Sequence, residues 1–378
     1  MTCLELFAGP GGMSEALAAA GVAHVGVEWD GDAVATARAA GHQRLHADVS
    51  TLVMSDLDVP GPVTGLHGSP PCQGFSMAGK GAGRGDARML LAAIAAMGRG
   101  VSASQVVAKA RTYATDERSP LTLEPLRWAL ELRPEWVTME QVPAVLPLFE
   151  AMADALREQG YSAWTGLLHA EQYGTPQTRK RAVLLASRVR SVEAPVPTHS
   201  KYHGRSPDRL DDGVLPWVSM AEALGWGMMG RPYPTIANGT AAGGPDPQMI
   251  GGSGTRASIR RELDGGRWID KAALLAEVEP RVNNQSGTEF DLTWPAHRPA
   301  PVVAGRLLAT MPGANANRYN GSTKSRNDGV RVEVWEAGVL QGFPADYPWQ
   351  GNKTSQAQQV GNAVPPPLGA AMLRAVLS

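Results

Sequence analysis

Short apolar runs alternate with longer segments of helical periodicity through the first half of the chain. The runs predict strands at 3–7, 22–27, 45–49, 63–66, 136–139, 161–168 and 182–186. The periodic segments predict helices at 14–21, 32–40, 88–97, 101–113, 121–132 and 147–159, the first two capped by Ser14 and Asp32. Strands that alternate with helices in this way predict an α/β fold.

The pattern changes at about residue 188. From there to about residue 330 the chain is rich in Gly, Pro, Asn and Arg and has few long apolar runs, which predicts a loop-rich second lobe. Helical periodicity returns at 332–340 and 368–377. A chain of 378 residues is long enough for two lobes.

The composition is that of an ordinary soluble globular protein. No apolar stretch is long enough for a membrane span and the first residues lack the basic start of a signal peptide, so we expect a cytoplasmic protein with no membrane partner. Cys3 and Cys72 could form one disulfide at most. Neither belongs to a Cys-x-x-Cys pair that would indicate zinc or redox chemistry, and we expect no metal site.

The formal net charge of −1 hides an uneven distribution. Residues 177–330 carry a net charge of +6, and the rest of the chain carries −7. A basic segment on an acidic body is typical of a lobe that binds a polyanion beside a separate catalytic core. Scattered, solvated charge is the alternative that this count leaves open.

Two prolines stop the apolar run at 63–66 and are followed directly by Cys72. Neither Pro70 nor Pro71 can donate a hydrogen bond to a neighbouring strand, and each restricts the residue before it, so the cysteine lies in a rigid turn. In an open α/β sheet that strand end faces the ligand crevice. A thiol held there suits a nucleophile, whereas an isolated cysteine beside a proline turn would more simply be a core residue.

A glycine-rich turn, Ala8-Gly-Pro-Gly-Gly12, joins the first strand to the first helix. Glycines let a cofactor approach the backbone, and the helix N-terminus offers unpaired N–H groups, although many α/β turns contain two glycines. Glu28 ends the second strand, where acidic residues of nucleotide-binding folds accept ribose hydroxyls. Asp48, at the tip of the third strand, is either a contact to an adenine amino group or a solvated loop residue.

Three further features follow Cys72 along the chain. Residues 73–86 are rich in Gly and basic residues and precede two predicted helices, so 80–118 is a candidate mobile flap. Glu140 places an acid at another strand end. Arg179 and Arg181 alternate by two, so an extended backbone would point both side chains to one face.

Five motifs occur in an order that resembles the DNA (cytosine-5)-methyltransferases. They are Phe7-x-Gly9-x-Gly11, Pro70-Pro71-Cys72-Gln73, Glu140-Gln141-Val142, Gln177-x-Arg179-x-Arg181 and Gln359-x-Gly361-Asn362. The resemblance implies a catalytic domain at 1–187 with a Rossmann-like mixed sheet, helices on both faces and a site for S-adenosylmethionine. It implies that 331–378 returns to this domain. Residues 188–330 match the family's target-recognition domain in placement rather than in residues.

The resemblance also implies a reaction. Cytosine C5 is a poor nucleophile, and addition of the Cys72 thiolate to C6 would make C5 enamine-like, so that it can accept a methyl group. Glu140 would contact ring N3 and the exocyclic amine, and would be protonated or share a proton as the adduct forms. Arg181 would hold that carboxyl and the base oxygen, and with Arg179 would supply the cationic setting that favours the thiolate. The target base would be flipped out of the duplex.

By the same resemblance, the residues expected at the cofactor are Phe7, Gly9, Gly11, Glu28, Trp29, Asp48, Asn362 and Val364, and those expected at the base beside Cys72 are Pro71, Gln73 and Ser76. Gly12 is expected to be structural. Two departures from the family's pattern stand out: Gln141 replaces the commoner Asn, and the segment between Gln73 and Leu121 is longer than the usual catalytic loop. The longer segment predicts a loop geometry that differs from that of the family's usual catalytic loop.

Other classes fit the residues less well. An amino-methyltransferase also uses a Pro-Pro strand end, but carries an aromatic residue where this chain has Cys72. A zinc deaminase would need Pro-Cys-x-x-Cys, and Phe75 occupies the second cysteine position. A tRNA cytosine-5 methyltransferase and an inactive DNA-binding relative are the remaining alternatives. The basic lobe favours double-stranded DNA as partner, and Cys72, Glu140 and Arg181 together favour an enzyme. We expect a monomer, with a cognate restriction endonuclease as a further candidate partner.

Overall fold

The computed structural model describes residues 1–53, 56–57, 59, 61–71, 85–206, 208–234, 236, 253–269, 280–282, 290–292 and 332–378. Cys72, Gln73 and Ser76, to which the sequence assigns roles, lie outside these residues. Within the described part of the chain, no helix is long and apolar enough to cross a membrane.

Seven of the described strands form one mixed sheet in the order β3-β2-β1-β4-β5-β8-β6. Its strands are β1 (Thr2–Leu6), β2 (Ala23–Glu28), β3 (Arg44–His46), β4 (Val63–Gly68), β5 (Trp136–Gln141), β6 (Ser162–His169) and β8 (Lys180–Ser187). The first five run parallel, and β8 is antiparallel to both β5 and β6. The predicted α/β fold is therefore confirmed.

Helices cover both faces of this sheet. Those of the first lobe are α1 (Gly12–Ala19), α2 (Gly31–Ala39), α3 (Ala87–Gly98), α4 (Ala103–Tyr113), α5 (Glu124–Leu132) and α6 (Leu146–Glu158). Successive strand residues point to opposite faces, so Val137 packs into a cluster with α3 to α6, whereas Trp136 packs into a second cluster with α1 and the C-terminal helix.

The strand order reverses between β1 and β4, which lie side by side although their connections leave in opposite directions. Ligands of open α/β sheets bind outside the carboxyl ends of the strands at such a switch point. The glycine-rich turn follows β1 and the Pro70-Pro71 turn follows β4, so the topology brings these two motifs to the same edge.

Two predicted helix caps are wrong. Ser14 lies inside α1 rather than at its start, and its hydroxyl donates to Glu5 Oε1 over 2.8 Å in the protein interior. The cap of α2 is Asp30, which accepts hydrogen bonds from the backbone N–H groups of Asp32 and Ala33. Strand β3 ends at His46, so Asp48 follows the strand by two residues.

The helical part of the predicted flap at 80–118 packs against the first lobe, and its closure over DNA stays a prediction. Helix α3 buries Leu90, Ile94 and Met97, and these side chains belong to the same core cluster as Phe149 of α6. Helix α4 adds Val107 to this cluster. Burial of several large apolar side chains holds the two helices to the body of the first lobe. Residues 80–84 of the predicted flap lie outside the described residues.

Five short elements of the second lobe contribute to its apolar cluster: α7 (Met220–Leu224), β9 (Gly227–Met228), β10 (Tyr233–Pro234), α8 (Ser253–Asp264) and β11 (Trp268–Ile269). Strand β10 pairs with β7 (Gln177–Thr178) of the first lobe, and β12 (Pro280–Val282) pairs with β13 (Phe290–Leu292). The C-terminal segment contributes α9 (Val334–Gln341), α10 (Lys353–Asn362) and α11 (Pro366–Leu377).

The C-terminal segment packs against both lobes. Leu340 of α9 and Val360 of α10 join Met220 and Trp226 in the apolar cluster of the second lobe, and Trp226 Nε1 donates to Glu336 of α9 over 2.9 Å. Helix α11 instead packs with α1 in the cluster on the sheet. The helices on either side of residue 363 therefore connect the two lobes.

Candidate active site

Glu140 is the last residue but one of β5, and its side chain is almost fully buried at the carboxyl edge of the sheet. Its Oε1 lies 2.8 Å from Nε of Arg181 on β8. Glu140 is opposite Val183 in the antiparallel pair, and Arg181 is two residues further along on the same face. The register of β5 and β8 thus forms a buried ion pair where the sequence predicts the catalytic acid.

A second side chain contacts the other oxygen of Glu140. Ser69, which follows β4, donates its hydroxyl to Glu140 Oε2 over 3.3 Å. Gln141, the next residue, makes two hydrogen bonds at the end of β5. Its amide NH₂ group donates to the carbonyl of Pro70, and its amide oxygen accepts from the backbone N–H of Val142. The residue that departs from the family's pattern therefore ties the end of β5 to the turn that precedes Cys72.

The structure brings half-buried Pro71 to this edge, and the next residue, Cys72, is the first of the undescribed segment. The roles of Cys72, Gln73 and Ser76 stay predictions. At the carboxyl ends of β4 and β5, the buried Glu140 carboxylate pairs with the half-buried Arg181 side chain of β8.

Arg179 has partners that differ from those of Arg181. The strand is interrupted between Thr178 and Lys180, and the buried Arg179 guanidinium donates to the carbonyls of Ile236, Gly361 and Ala363 over 3.2, 2.9 and 3.2 Å. These contacts join the second lobe to the C-terminal segment. A role for Arg179 as a cationic neighbour of Cys72 stays a prediction.

The turn after β1 has a strained backbone at the expected cofactor edge. Phe7 has φ of 57°, in the left-handed region that costs a residue with a Cβ on the order of 1 kcal/mol, and Gly9 has φ of 55°. An added Cβ at Gly9 would meet no atom within 4 Å, whereas one at Gly11 would lie 2.5 Å from Tyr347 Oη. The space beside Gly11 is therefore filled by the Tyr347 side chain, whereas the space beside Gly9 is open.

Glu28, at the end of β2, holds this turn. Its Oε2 accepts from Gly9 N and its Oε1 from Asp30 N, each over 2.8 Å. The neighbouring Trp29 is 71% exposed, and its carbonyl is 2.8 Å from His46 Nε2. Asp48 Oδ1 accepts from Ser50 N over 2.8 Å. The carboxylate of Glu28 at the end of β2, the exposed indole of Trp29 and the carboxylate of Asp48 after β3 therefore lie at the carboxyl ends of these two strands.

Asn362 and Val364, expected on the far side of the cofactor, lie at the junction of α10 and α11. Asn362 is exposed and Val364 is buried. A Cβ at Gly12 would lie 2.0 Å from the carbonyl oxygen of Val364, so the first turn of α1 and the C-terminal segment are in direct backbone contact. This contact agrees with the structural role expected for Gly12.

A buried ionic group behind the glycine turn was not predicted. Arg44 lies 3.6 Å from Glu5 Oε1, donates to Ser14 Oγ over 2.6 Å and reaches the carbonyl of Gly9 at 3.5 Å. Glu5 and the side chain of Arg44 have no exposed surface. The signal that could have found this group is a glutamate in the middle of an otherwise apolar first strand, because a buried charge needs a partner.

A cavity at the start of β8 is lined mainly by basic side chains, together with the carboxylate of Glu171. The cavity has a volume of about 400 Å³, and its lining includes Lys180, Lys201, Arg231 and Arg261. Arg231 also lies over the ring of Tyr202, 5.0 Å from its centroid. In the described part of the chain, no group of three or more His, Cys, Asp or Glu side chains could hold a metal ion.

The chain resembles known proteins over nearly its whole length. It is 26% identical over 401 residues to the type II methyltransferase M1.HphI of Haemophilus parahaemolyticus, which covers 100% of this chain and 87% of the relative. It is 27% identical over 397 residues to the type II methyltransferase M.NaeI of Lentzea aerocolonigenes, covering 99% and 75%. The structure of the S. pombe Dnmt2 methyltransferase shares the fold, with a TM-score of 0.52, 15% identity and coverage of 100% and 98%.

The family model for C-5 cytosine-specific DNA methylases matches residues 1–99, 104–213 and 278–378. These ranges contain the glycine turn, the Glu140–Arg181 pair and the C-terminal helices described above. The chain therefore belongs to the family of C-5 cytosine-specific DNA methylases and is a DNA (cytosine-5)-methyltransferase.

Proposed function

We propose that this methyltransferase transfers a methyl group from S-adenosylmethionine to C5 of a cytosine flipped out of sequence-specific double-stranded DNA, through a covalent bond between Cys72 and C6. The observation that carries the proposal is the ion pair between the buried Glu140 carboxylate and half-buried Arg181, 2.8 Å apart, beside the Pro70-Pro71 turn that leads into Cys72. A buried carboxylate held by a guanidinium supports recognition of the polar edge of a base.

Cys72 would act as nucleophile. Its thiolate adds to C6, and the electron pair of the C5–C6 double bond makes C5 nucleophilic. Bound S-adenosylmethionine would supply the methyl group that C5 accepts, with cleavage of its S–CH3 bond and release of S-adenosylhomocysteine. The C5 proton then leaves to a base, the electron pair re-forms the double bond, and the thiolate departs, so the ring and the enzyme are restored.

Glu140 would bind N3 and the exocyclic amine of the flipped cytosine. Negative charge develops on the ring when the thiolate adds, and a proton given or shared by Glu140 at N3 offsets it. Arg181 would orient the carboxyl and contact the base oxygen. Extrusion of the base costs a few kcal/mol, which contacts of this kind offset.

The cofactor would lie along the edge formed by β1, β2 and β3. Phe7, Gly9 and Gly11 would line the methionine part, Glu28 the ribose, and Trp29 with Asp48 the adenine, with Asn362 and Val364 on the far side. The fit is supported by the open space in front of Gly9 and by an indole that is 71% exposed beside two carboxylates.

The second lobe, which we assign to 188–330 between a catalytic domain at 1–187 and a returning segment at 331–378, would recognise the target sequence. Its positive charge, and the cavity lined by Lys180, Lys201, Arg231 and Arg261, support binding of the DNA backbone. Because the curated relatives are type II methyltransferases, a cognate restriction endonuclease is a natural partner. We propose that the enzyme acts as a cytoplasmic monomer.

The decisive test is Cys72→Ala with chromosomal DNA from a host that lacks DNA methylation and radiolabelled S-adenosylmethionine. Transfer should fall to background while the circular dichroism spectrum and melting temperature are retained, because the chain's other cysteine, Cys3, is fully buried in β1. Matched Cys3→Ala should keep the chemistry. Undiminished 5-methylcytosine from Cys72→Ala would refute the covalent mechanism.

A further inference from the structure

A line of polar side chains, three of them buried and Ser69 half-buried, runs from the sheet interior to Glu140. His67 on β4 is 1% exposed, and its Nδ1 lies 2.9 Å from Oγ1 of Thr138 on β5, which has no exposed surface. The other ring nitrogen, Nε2, lies 3.1 Å from Ser69 Oγ, and Ser69 donates to Glu140 Oε2 over 3.3 Å. Thr138, His67, Ser69 and Glu140 thus form one continuous hydrogen-bonded chain.

The register of the parallel strands explains the chain. Glu5 on β1, His67 on β4 and Thr138 on β5 are paired across the sheet, so their side chains share one face. Residues two apart share a face as well, which brings Ser69 and Glu140 into line with them. Polar side chains in three apolar strands need each other as partners because water does not reach them.

The imidazole of His67 is neutral at neutral pH. Burial lowers its pKa to about 4, against the opposing effect of the Glu5 carboxylate. The other titratable and charged groups that face this line are Cys3 and Arg44 at the Glu5 end and Arg181 at the Glu140 end. A neutral imidazole has one N–H group and one lone pair, and the two tautomers exchange their positions.

We propose that His67 is a positioning residue that lets Glu140 change between carboxylate and carboxylic acid while the Ser69 hydroxyl keeps a hydrogen-bond partner on each side. With Glu140 ionised, Thr138 donates to Nδ1, Nε2–H donates to Ser69, and Ser69 donates to Oε2. With Glu140 protonated on Oε2, the acid donates to Ser69, Ser69 donates to the Nε2 lone pair, and Nδ1–H donates to Thr138.

Proton counting distinguishes the two arrangements. The second holds one more proton than the first, and that proton is on Glu140; the net charge of His67 is zero in both, and only its N–H moves from Nε2 to Nδ1. The added proton must be on Oε2 because Oε1 faces Arg181, which can only donate. Thr138 is buried, so the chain ends there and is no route to solvent.

The inference deepens the proposed function, on which it rests, because Glu140 must first take up a proton before it can give or share that proton at N3 of a bound base. Without His67, the Ser69 hydroxyl would have no acceptor once the acid donates to it. Loss of this hydrogen bond of the half-buried Ser69 destabilises the protonated form by on the order of tenfold.

The first test follows the tautomer directly and needs no activity. In Glu140→Gln the amide oxygen must take the Oε1 position, since Arg181 only donates, and the NH₂ group then faces Ser69 as the protonated acid does. Two-bond ¹H–¹⁵N correlation spectra of ¹⁵N-histidine protein, with His67→Gln for assignment, should show Nε2–H in the wild type at pH 7.5 and Nδ1–H in Glu140→Gln. The same tautomer in both proteins would overturn the proposal.

The second test uses the pH dependence of a single turnover on methylation-deficient chromosomal DNA. His67→Leu should lower the rate at pH 7.5 by on the order of tenfold and move its fall with rising pH to lower pH, because the protonated acid loses its acceptor. His67→Gln, whose amide can donate or accept by rotation, should keep the rate within about threefold. In a Ser69→Ala background, His67→Leu should have no further effect.

Cys3→Ala is the matched control, since it removes a buried side chain from the same face of the sheet at β1. It should lower stability and leave the pH profile unchanged. A His67→Leu profile that matches Cys3→Ala would reduce His67 to a packing residue. If neither the wild type nor any variant methylates DNA, the proposed function fails. The tautomer measurement would still decide the role of His67, because it does not depend on activity.

Discussion

Glu140 is held by two side chains with different hydrogen-bonding abilities. Arg181 can only donate, whereas the Ser69 hydroxyl can donate or accept. Removal of the negative charge from Glu140 therefore reverses the hydrogen bond with Ser69 and conserves the contact with Arg181. A substitution at this residue tests the chemistry with little disturbance of the fold.

We expect Glu140→Gln to lower single-turnover methyl transfer by about 10² or more, because the amide cannot give a proton to the base. The affinity for S-adenosylmethionine, measured by calorimetry without DNA, should change less than about threefold since the proposed cofactor edge lies at β1 to β3. Exposed Glu150→Gln on α6 is the control and should leave both unchanged. Lost cofactor affinity with a normal single-turnover rate would contradict the assignment.

His67 also predicts how stability depends on pH. Its pKa is about 4 in the folded chain against an ordinary value of 6.5, so the unfolded chain takes up the proton first on acidification. The folded state then loses up to about 3 kcal/mol of stability from this residue as pH falls from 6.5 to 4. Urea unfolding at pH 7, 6 and 5 should show a shallower decline for His67→Gln than for the wild type. Parallel declines would show that His67 does not cause the dependence.

At the scale of elements, backbone contacts join α1 to the C-terminal helices. The first residue of α1 is a glycine because the carbonyl of Val364 occupies the space of a side chain. Arg179 adds a second junction, through the carbonyls of Ile236, Gly361 and Ala363. The segment between α10 and α11 is thus held from the sheet side and from the second lobe.

We expect Gly12→Ala to lower the free energy of unfolding by about 1–3 kcal/mol, since a Cβ only 2.0 Å from Val364 O forces α1 and the C-terminal segment apart. Chemical unfolding would measure this loss. Gly85→Ala is the control, because a Cβ there meets no atom within 4 Å and φ is not positive. Equal stability of the two variants would show that the junction adjusts without cost.

At the scale of the whole molecule, charge and chemistry are divided between the lobes. The ion pair at Glu140 belongs to the sheet, whereas the excess of positive charge lies in 177–330. Arg side chains suit bidentate contacts to guanine and Asn or Gln to adenine, each of which contributes about 1–3 kcal/mol of discrimination. Loss of a contact to phosphate weakens binding to all sequences about equally.

We therefore expect that exchange of 188–330 for the corresponding segment of another family member changes the methylated sequence and leaves the target atom at cytosine C5. Bisulfite sequencing of a host that expresses the hybrid would measure both. A hybrid of equal melting temperature is the control for folding. If an active hybrid kept the original sequence preference, specificity would have to lie in the catalytic lobe.

The sequence by itself determined the elements and the strand ends. The apolar runs, the prolines after β4 and the acids at Glu28 and Glu140 could be read because hydrophobic periodicity and turn chemistry are local properties of the chain. The ordered motifs indicated the family, which the family model then confirmed.

Only the tertiary structure decided which distant side chains meet. Ser14 has the local preference of a helix cap, yet it pairs with Glu5 and Arg44 inside the protein, because the order of β1, β2 and β3 brings three buried polar groups together. The line from Thr138 through His67 to Glu140 depends in the same way on the register of β4 and β5. Strand order and register are set by packing over the whole domain, so no local pattern in the chain contains them.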